Sequence, residues 1–331
     1  MSNGSTVRIV SLFLVFVSFS FSVDAQSKRQ SQRRVRPAPI AAEGTRGKAV
    51  LWEPVAIERR DLFNGPGGGE MKPDVSSVKF IKAEKGGHNK KYKIKDASGR
   101  EWVAKLGREA RPETAAVRLL FGLGYKTEIN YLVPTITIPG KGTFQNVRLE
   151  ARPANAQRLG EWKWKSNPFV GTKPLQGLKM MMVFMTNWDV LDLQNKIVRV
   201  GLEDQYIISD LGSTFGRLGN NNLPLFYRLG RTTGRPNQYI KTRFIRRVEN
   251  GVIELSYKGK SRSIFKGITL ADGRWLASRL NRLSDAQILD AFRAANYSPA
   301  EAEIYHRAVR NKIDELNRAV GGTNLAENIQ R

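Results

Sequence analysis

Residues 183–212 read VFMTNWDVLDLQNKIVRVGLEDQYIISDLG, and this stretch decides the fold that the sequence predicts. An apolar helix end runs into a polar loop. Two short β-rich runs then form a predicted hairpin that ends directly before a Leu-Gly pair. The loop and the end of the hairpin together supply three acids and one amide. These residues are Asp189, Asp192, Asn195 and Asp210.

The oxygen atoms of these side chains suit a hard divalent cation. Mg²⁺ prefers oxygen ligands and is usually held by one or two carboxylates together with substrate phosphates. Such a set forms the metal half of a phosphoryl-transfer site. Each residue taken alone is more typical of a solvated turn, in which Asp and Asn cap backbone groups. The spacing favours a site for Mg²⁺ or Mn²⁺ with Asp210, Asn195 and Asp192 as the metal ligands.

Length and composition narrow the function classes. The chain has 331 residues, which allows two domains or one bilobal domain. A formal net charge of +25 and a pI near 10.4 favour polyanionic partners such as nucleic acid, anionic lipid, acidic polysaccharide or a phosphorylated ligand. There is no cysteine, and the only histidines are His88 and His306. Disulfides, thiol catalysis, zinc sites built on Cys or His clusters and most Ser-His-Asp arrangements are therefore excluded.

The first 25 residues are typical of a secretory signal peptide, with Arg8, an apolar run and a small-residue cleavage site after Ala25. An uncleaved membrane anchor is the alternative, but the apolar run is shorter than the ~20 residues that span a bilayer. We therefore expect a secreted or periplasmic protein. Residues 26–47, rich in Ser, Gln, Arg, Pro and Ala, predict a disordered basic linker. Residues 48–72 form an N-terminal extension.

Residues 73–160 predict a β-rich lobe. The expected strands cover residues 76–84, 92–95, 101–106, 129–138 and 143–150. The glycines Gly86 and Gly87 lie in the first connection, and Lys105 lies on the third strand. A helix begins shortly after this strand, with a proline and Glu113 in its first turn.

Residues 161–331 predict a mostly helical lobe. A buried helix delivers the acidic loop, and its methionines are core residues. The expected helices cover residues 173–186, 272–281, 284–295 and 298–320. Trp162 and Trp164 lie in the connection between the lobes, where packing is favoured over stacking on a base or a sugar.

Between the acidic loop and the last helices, the sequence is strongly basic and has aromatic residues among the bases. The bases are Arg217, Arg228, Arg231, Arg235, Lys241, Arg243, Arg246 and Arg247. Single-stranded nucleic-acid surfaces also combine bases with aromatics, but no nucleic-acid motif accompanies them here. We therefore expect an anionic substrate or an anionic envelope surface as the partner, and no specific nucleic acid.

Four short motifs carry a resemblance to a known superfamily. They are Pro112-Glu-Thr-Ala-Ala, Asn167-Pro-Phe-Val-Gly-Thr, Asn187-Trp-Asp and Ser209-Asp-Leu-Gly. Over about residues 76–216 the sequence resembles the protein-kinase-like superfamily. It is similar to the atypical branches, namely the phosphatidylinositol kinases, the bacterial toxin-type kinases and the secretory-pathway kinases. It looks most like a set of uncharacterised secreted bacterial proteins.

The resemblance implies a role for each candidate residue. The expected contacts to ATP or another nucleotide are Gly86, Gly87 and Lys105. Glu113 corresponds to the ion-pair partner of the strand lysine, Asp189 to the base of the catalytic loop and Asp210 to the metal ligand.

The catalytic loop departs from the superfamily's pattern. Kinases set a metal-binding Asn five residues after the Asp, whereas here Gln194 stands at that position and Asn195 follows it. Three alternatives stay open: a one-residue insertion, Gln194 as a substitute, or Asp192 and Asn195 as the working pair. The expected His-Arg before Asp189 is also replaced, by Asn-Trp.

The sequence thus predicts a bilobal α+β protein-kinase-like fold with a small β-rich N-lobe and a mostly helical C-lobe. The expected activity is phosphate transfer from a nucleotide to a hydroxyl acceptor, which is a protein, a lipid or a small molecule. The alternative is a catalytically inactive kinase-like envelope protein that binds a nucleotide or a polyanion. Treating the pair of Lys105 and Glu113 as an exposed one, we expect Glu113→Ala to weaken nucleotide binding and leave the fold intact.

Overall fold

The structure is a computed structural model that describes Met1 and residues 47–84, 89–219 and 230–321. The predicted signal peptide after Met1, the predicted linker before Gly47, and the candidate glycines Gly86 and Gly87 lie outside the described residues. From Gly47 onward, the described residues belong to one compact unit. Within that part of the chain, no helix is both long enough and apolar enough to cross a membrane.

Strands dominate the first half of the described chain and helices dominate the second half. The strands are β1 (Lys48–Val50), β2 (Lys79–Glu84), β3 (Lys91–Lys95), β4 (Glu101–Lys105), β5 (Asn130–Ile138), β6 (Gly142–Ala151), β7 (Ala156–Glu161), β8 (Asn195–Val200), β9 (Glu203–Ile208), β10 (Ile245–Glu249), β11 (Val252–Leu255) and β12 (Ile268–Thr269). The α-helices are α1 (Ala110–Gly122), α2 (Lys173–Phe184), α3 (Pro236–Tyr239), α4 (Leu270–Leu280), α5 (Asp285–Arg293) and α6 (Pro299–Gly321). The predicted α+β class is confirmed.

Five antiparallel strands form the first sheet, in the order β2-β3-β4-β6-β5. A tight turn joins β3 to β4, where Gly99 adopts a φ of 81° that favours glycine. Asp96 fixes this turn, because its carboxylate accepts hydrogen bonds from Ser98 Oγ at 2.7 Å and from the backbone N of Arg100 at 3.0 Å. The turn sets the register that places Lys105 at the end of β4, opposite Arg148 on β6.

One face of this sheet is apolar and buried. Ile94, Trp102, Ala104, Val147 and Leu149 all have side chains with no exposed surface. Helix α1 packs against β5 and β6. The predicted proline at the start of α1 is confirmed in the first turn, where its missing N–H loses no intrahelical hydrogen bond. The first turn of α1 is therefore anchored next to the end of β4.

A second sheet has the order β1-β9-β8-β7 and combines strands that are distant in sequence. The first strand pairs in parallel with β9, and Lys48 lies opposite Glu203. Lys126 supports this pairing, because its Nζ lies 3.0 Å from Glu53 Oε2 and 3.1 Å from Glu203 Oε2. The chain before the first sheet is thus tied to the hairpin of β8 and β9, a contact that the sequence does not predict.

Helix α2 leads into the acidic loop and is almost entirely buried. Its N-cap Thr172 accepts a hydrogen bond from the backbone N of Leu175 at 3.4 Å. Met180, Met181 and Met182 have at most 1% of their surface exposed, which confirms their prediction as core residues. The β8–β9 hairpin predicted after this helix is confirmed as well.

The last part of the described chain packs α4, α5 and α6 beside a three-stranded sheet of β10, β11 and β12. The predicted capping pattern at Ser284 is confirmed, since its Oγ accepts from the backbone N of Gln287 at 3.1 Å. Thr269 caps α4 in the same way and starts that helix two residues earlier than predicted. The sequence analysis missed the β10–β11 hairpin, although Asn250 and Gly251 at its turn, with φ of 48° and 74°, are typical of a two-residue hairpin loop.

Candidate functional site

A cavity of about 270 Å³ lies between the first sheet, α1 and the β8–β9 hairpin. We call it the central cavity. Its lining includes Lys105, Glu113, Arg148, Gln194, Ser209 and Asp210. It adjoins a larger cavity of about 630 Å³, since the two share lining residues on β3, β4 and β6. The structure thus brings three of the candidate residues, Lys105, Glu113 and Asp210, to one place.

Lys105 stands at the centre of this group. Its Nζ donates hydrogen bonds to Glu113 Oε2 at 2.9 Å and to Asp210 Oδ1 at 3.0 Å, and Glu109 Oε2 lies 3.4 Å away. Burial lowers the pKa of Lys105, but the charges of Glu113, Asp210 and Glu109 outweigh it, so the pKa lies above the ordinary lysine value. The lysine is therefore a fixed positive charge at the wall of the central cavity.

Glu113 reaches Lys105 from the first turn of α1 and is itself buried, with a side-chain exposure of 1%. Its Oε1 lies 3.3 Å from Arg148 Nη2. Burial raises the pKa of Glu113, while Arg148 and Lys105 oppose that shift. The sequence analysis treated this ion pair as exposed, which is wrong. Glu113→Ala would remove one carboxylate partner from each of two buried cations, so it would also destabilise the fold.

Arg148 is a residue of the site that the sequence analysis missed. It lies on β6, and its guanidinium contacts Glu128 Oε2 at 2.5 Å and Glu150 Oε2 at 3.2 Å, in addition to Glu113. Burial lowers its pKa, but the surrounding carboxylates raise it further than burial lowers it. The only signal in the sequence was an arginine and a glutamate two residues apart in a predicted strand, which places them on one face.

Asp210 follows β9 and faces the central cavity, with 45% of its side chain exposed. Burial raises its pKa, but the charge and hydrogen bond of Lys105 lower it more, so the pKa of the carboxyl lies below its ordinary value. Ser209 lines the same cavity, and its buried Oγ has no hydrogen-bond partner among the described residues. An ionised carboxylate and an unpartnered hydroxyl therefore face one cavity.

Asp189 reaches this group through Gln194. The Nε2 of Gln194 donates to Asp189 Oδ2 at 3.1 Å, and Gln194 itself lines the central cavity. The other carboxylate oxygen of Asp189 forms an ion pair with Lys260. The loop is fixed from within by Asn187, whose Oδ1 accepts from the backbone N of Asp189 at 3.0 Å. Asp189 is thus placed next to the cavity, and Lys260 is a contact that the sequence did not predict.

The structure places Asp192 and Asn195 away from Asp210. One carboxylate oxygen of Asp192 accepts from the backbone N of Trp164 at 3.0 Å, and the Nδ2 of the buried Asn195 donates to the carbonyl oxygen of Trp162 at 3.1 Å. A 3₁₀ turn over Asp192–Gln194 sets this arrangement, because β8 begins at Asn195 and turns its side chain inward. Of the alternatives left open by the sequence, the geometry therefore favours Gln194 at the cavity over Asp192 with Asn195.

Trp162 and Trp164 are both buried, with exposures of 3% and 2%. Their rings pack edge to face at 5.0 Å, and Trp162 Nε1 donates to the carbonyl oxygen of Ile207 at 3.1 Å. The prediction that they serve packing is confirmed. They hold β7, the acidic loop and β9 together, and so position Asp189 and Asp210 indirectly.

In the central cavity, protein atoms could supply only part of the ligand set of a hard cation. The described residues contain no group of three or more His, Cys, Asp or Glu that could hold a metal ion. Asp210 and Ser209 nevertheless offer oxygen atoms to the cavity, whereas the Oε1 of Gln194 accepts from the backbone N of Leu191 at 3.2 Å. A Mg²⁺ ion is commonly bound by one or two carboxylates and completed by water and phosphate oxygens. The donor set is therefore compatible with Mg²⁺ bound together with a phosphate ligand.

Comparison with known proteins found similarity among solved structures. No protein-family model matches the chain, and no curated protein matches it either. The chain is similar to the crystal structure of the Helicobacter pylori proinflammatory kinase CtkA, with 13% identity, a TM-score of 0.44, and coverage of 77% of this chain and 98% of that one. It is also similar to the Rio2 kinase of Chaetomium thermophilum in its ADP/Mg²⁺-phosphoaspartate complex, with 11% identity, a TM-score of 0.29 and coverage of 74% of each chain. Neither similarity bears on the activity or the substrate of this chain.

Proposed function

We propose that the protein transfers a phosphoryl group from a nucleotide to a hydroxyl acceptor. The observation that carries the proposal is the position of Lys105 Nζ, which lies 2.9 Å from Glu113 and 3.0 Å from Asp210 at the wall of one cavity. Catalysis of phosphoryl transfer rests on positioning and electrostatic stabilisation. A lysine held by a buried glutamate, next to an ionised aspartate, supplies both for a chain of phosphates.

Lys105 would bind the nucleotide phosphates, with its Nζ held in place by Glu113. The buried Arg148 offsets the charge of Glu113, and Lys105 is one of the cations that line the cavity. An incoming phosphate oxygen would replace Asp210 as a partner of this Nζ. The carboxylate of Asp210, with Ser209 and Gln194 beside it, would then be available to hold Mg²⁺ or Mn²⁺. The metal ion, when bound, neutralises charge that develops on the phosphates.

Asp189 is the proposed acceptor of the proton from the substrate hydroxyl. Gln194 and Lys260 hold its two carboxylate oxygens, and Gln194 also faces the central cavity. A carboxylate held in this way is fixed in direction, which is what a general base requires. A hydroxyl that enters between Asp189 and the phosphates would donate its proton to Asp189 while its oxygen attacks the terminal phosphorus. The bond from this phosphorus to the bridging oxygen would break, and the nucleoside diphosphate would leave.

The adjoining cavity is the proposed position of the nucleoside. Its volume of about 630 Å³ suits a ligand of this size. Apolar residues from both sheets line it, namely Val103, Ile129, Val198 and Ile207. Glu128 and Glu150 add carboxylates that would accept hydrogen bonds from amino groups of a base.

A binding protein without catalysis is the second candidate. Two observations favour it: Gln194 stands where a kinase has Asn, and Lys260 already forms an ion pair with Asp189. An amide one methylene longer would place its oxygen differently toward a metal ion. Such a protein would keep nucleotide binding through Lys105 and Asp210 and lack transfer.

Incubation of the full chain with γ-labelled ATP and Mg²⁺ or Mn²⁺ tests the proposal. We expect label to reach an acceptor or the protein itself, and to be lost in Asp210→Ala. Asp204→Ala is the matched control, because Asp204 lies in the same hairpin and pairs with Arg199 on the sheet. Stabilisation by ATP without any transfer would favour the binding protein. Absence of both transfer and stabilisation would refute the two candidates and leave only polyanion binding.

We further propose that the protein acts outside the cytoplasm, in the periplasm or as a secreted protein. This proposal rests on the pattern of the first 25 residues, which lie outside the described residues apart from Met1. Determination of the N-terminal residue of the protein made in a bacterial host tests it. A chain that starts at Gln26 is expected, whereas a chain that keeps residues 2–25 in the soluble cytoplasmic fraction would contradict the proposal.

A further inference from the structure

A third cavity, of about 580 Å³, opens beside α3 and the β10–β11 hairpin, outside the central cavity. Among the described residues, its lining contains four cations and no acid. We call it the basic cavity and define it by Arg217, Lys241, Arg243 and Lys258. The remaining polar side chains of the lining are those of Asn237, Gln238, Thr242 and Ser256. The described lining therefore presents positive charge and hydrogen-bond donors, which are the groups that bind an anion.

The positive charge of the basic cavity is not balanced by protein carboxylates. No ion pair joins any of its four cations to an acid among the described residues. On the neighbouring strand β10, by contrast, Arg246 Nη1 lies 2.7 Å from Glu254 Oε1 and Arg247 Nε lies 2.6 Å from Glu254 Oε2. The uncompensated charge is thus a local property of the cavity. Like charges gathered around a concave surface focus the field and attract an anion.

The pKa of Lys258 gives the same indication. Burial lowers it, and the positive charges of Arg262 and Arg246 lower it further. Such a shift means that the charged form of Lys258 is disfavoured by its surroundings. A bound anion would reverse this effect, because it would supply the missing opposite charge.

Two hydrogen bonds and a short chain segment link the basic cavity to residues next to Asp189. Thr232 Oγ1 accepts from the backbone N of Arg217 at 2.9 Å, and the carbonyl oxygen of Thr232 accepts from Trp188 Nε1 at 3.3 Å, one residue before Asp189. Lys258 lies two residues before Lys260, which forms the ion pair with Asp189. The basic cavity is thus linked through Thr232 and Trp188 to the loop that carries Asp189.

The chemistry of the lining favours phosphate over nucleic-acid bases. Nonspecific single-stranded nucleic-acid sites need aromatic side chains on which bases stack, and none of the described residues that line this cavity is aromatic. Arginine and lysine together suit phosphate, because guanidinium forms paired hydrogen bonds with its oxygens and ammonium adds a point charge. The volume exceeds that of one phosphate and matches a small ligand that carries one.

We propose that the basic cavity binds a phosphate-bearing group of the acceptor, such as a phosphorylated polyol that is free or forms the headgroup of a lipid. The proposal deepens the proposed function and rests on it, since it names the chemical class of the acceptor. Arg217, Lys241, Arg243 and Lys258 bind the phosphate, and the hydroxyl to be phosphorylated lies toward Asp189.

Calorimetric titration of inorganic pyrophosphate into the full chain tests the proposal with two variants of equal charge. The cavity variant is Lys241→Gln with Arg243→Gln. The control variant is Arg246→Gln with Arg247→Gln, which removes two charges from the neighbouring strand. Pyrophosphate bound in the central cavity contributes equally to both, so the difference between them reports on the basic cavity. We expect the cavity variant to bind at least about tenfold more weakly and the control to change by less than about threefold.

A second arm identifies the source of the phosphate group. Sedimentation with phosphatidylglycerol vesicles, against phosphatidylcholine vesicles, reports on a lipid headgroup. If the cavity variant loses vesicle binding and the control variant keeps it, the phosphate group belongs to a lipid. If the cavity variant loses pyrophosphate binding and keeps vesicle binding, the phosphate group belongs to a soluble molecule. The proposal would be overturned if both variants lost pyrophosphate binding equally or if neither lost it. It would also be overturned if a single-stranded oligonucleotide bound both variants equally and displaced pyrophosphate. Stabilisation by ATP, measured on the same proteins, reports separately on the central cavity and keeps a failure of the phosphotransfer proposal distinguishable.

Discussion

At the scale of single residues, buried charge controls the candidate site. Glu113 and Arg148 are almost fully buried and each contacts more than one opposite charge. Removal of one member of such a group leaves an uncompensated buried charge, which costs about 3–5 kcal/mol of stability. This network fixes the direction of Lys105 Nζ more firmly than a single exposed ion pair could. It also means that variants at Lys105, Glu113 or Arg148 combine effects on binding with effects on folding. Asp210, whose side chain is 45% exposed, is therefore the better probe of function.

Lys312 on α6 is a buried lysine outside the site and gives a separate prediction. Its Nζ donates to the carbonyl oxygen of Thr242 at 3.1 Å and lies 5.0 Å from the ring centroid of Tyr239. Burial lowers its pKa to about 7, although Glu315 opposes the shift. Below pH 7 both folded and unfolded chains are charged there, and the penalty of burying the charge is complete. From about pH 7 to ~10.4 the unfolded chain binds a proton that the folded chain lacks, so this group increases stability as pH rises.

We therefore expect Lys312→Met to stabilise the protein at pH 6.5 by roughly 1–3 kcal/mol, because a buried charge is replaced by an apolar side chain of similar length. The gain is expected to shrink as the pH rises toward 10. Urea unfolding at a series of pH values measures it. Arg307→Met is the control, because Arg307 is exposed on the same helix. A gain in stability that is independent of pH, or equal in the control, would show that burial does not lower the pKa of Lys312.

At the scale of elements, the packing of helix α2 positions the acidic loop. Gly177 lies in the middle of this helix, where an added Cβ would clash with the ring of Trp275 and lie 2.8 Å from the hydroxyl of Tyr125. A side chain there must push α2 away from α4. Because α2 ends at Phe184, five residues before Asp189, the displacement would reach the loop that carries the proposed base.

Gly177→Ala is expected to destabilise the protein by about 1–3 kcal/mol despite the higher helix propensity of alanine. Thermal unfolding measures this effect. Lys173→Ala, on the exposed side of the same helix, is the matched control and is expected to stay within about 0.5 kcal/mol of the unchanged protein. If Gly177→Ala were instead as stable as the control, the close contact of α2 with Trp275 would not exist in the folded protein.

Elements with local signals could be predicted from the sequence, and elements that depend on distant contacts could not. Helices α1 and α5 carry a proline or a serine cap at their start, and the β8–β9 hairpin has a glycine turn, so their information lies within a few residues. The pairing of β1 with β9 joins residues about 155 positions apart, for instance Lys48 with Glu203. Three residues of strand are too short to show such a partner by their own pattern.

The same distinction applies to the site. Lys105 and Glu113 are eight positions apart, across one strand and one turn, and their pairing was predictable. Arg148 enters from a strand more than 40 positions after Lys105, and Lys260 enters from a segment beyond the acidic loop. The choice of Gln194 over Asn195 depends on where β8 begins, and a shift of one residue turns a side chain to the other face. Side-chain direction at a strand start is therefore the part of the site that required a structure.

At the scale of the whole molecule, the large positive charge is distributed unevenly. Around the central cavity it is balanced by carboxylates, whereas the basic cavity has none. A protein with a net charge of +25 attracts any nucleotide to some extent. Affinity for ATP alone therefore does not identify the central cavity as a nucleotide site. The dependence of that affinity on metal and on particular residues does.

Calorimetric titration of ATP with and without Mg²⁺, at an ionic strength of about 0.15 M to screen nonspecific attraction, is the most direct measurement. In the unchanged protein we expect Mg²⁺ to strengthen ATP binding at least about tenfold, equivalent to ~1.4 kcal/mol. Asp210→Asn is expected to abolish this effect of Mg²⁺ and to leave metal-free binding nearly unchanged. Lys105→Met is expected to weaken binding at least about tenfold under both conditions. ATP binding with the same affinity and the same Mg²⁺ dependence in all three proteins would contradict the assignment of Lys105 and Asp210 to a nucleotide site.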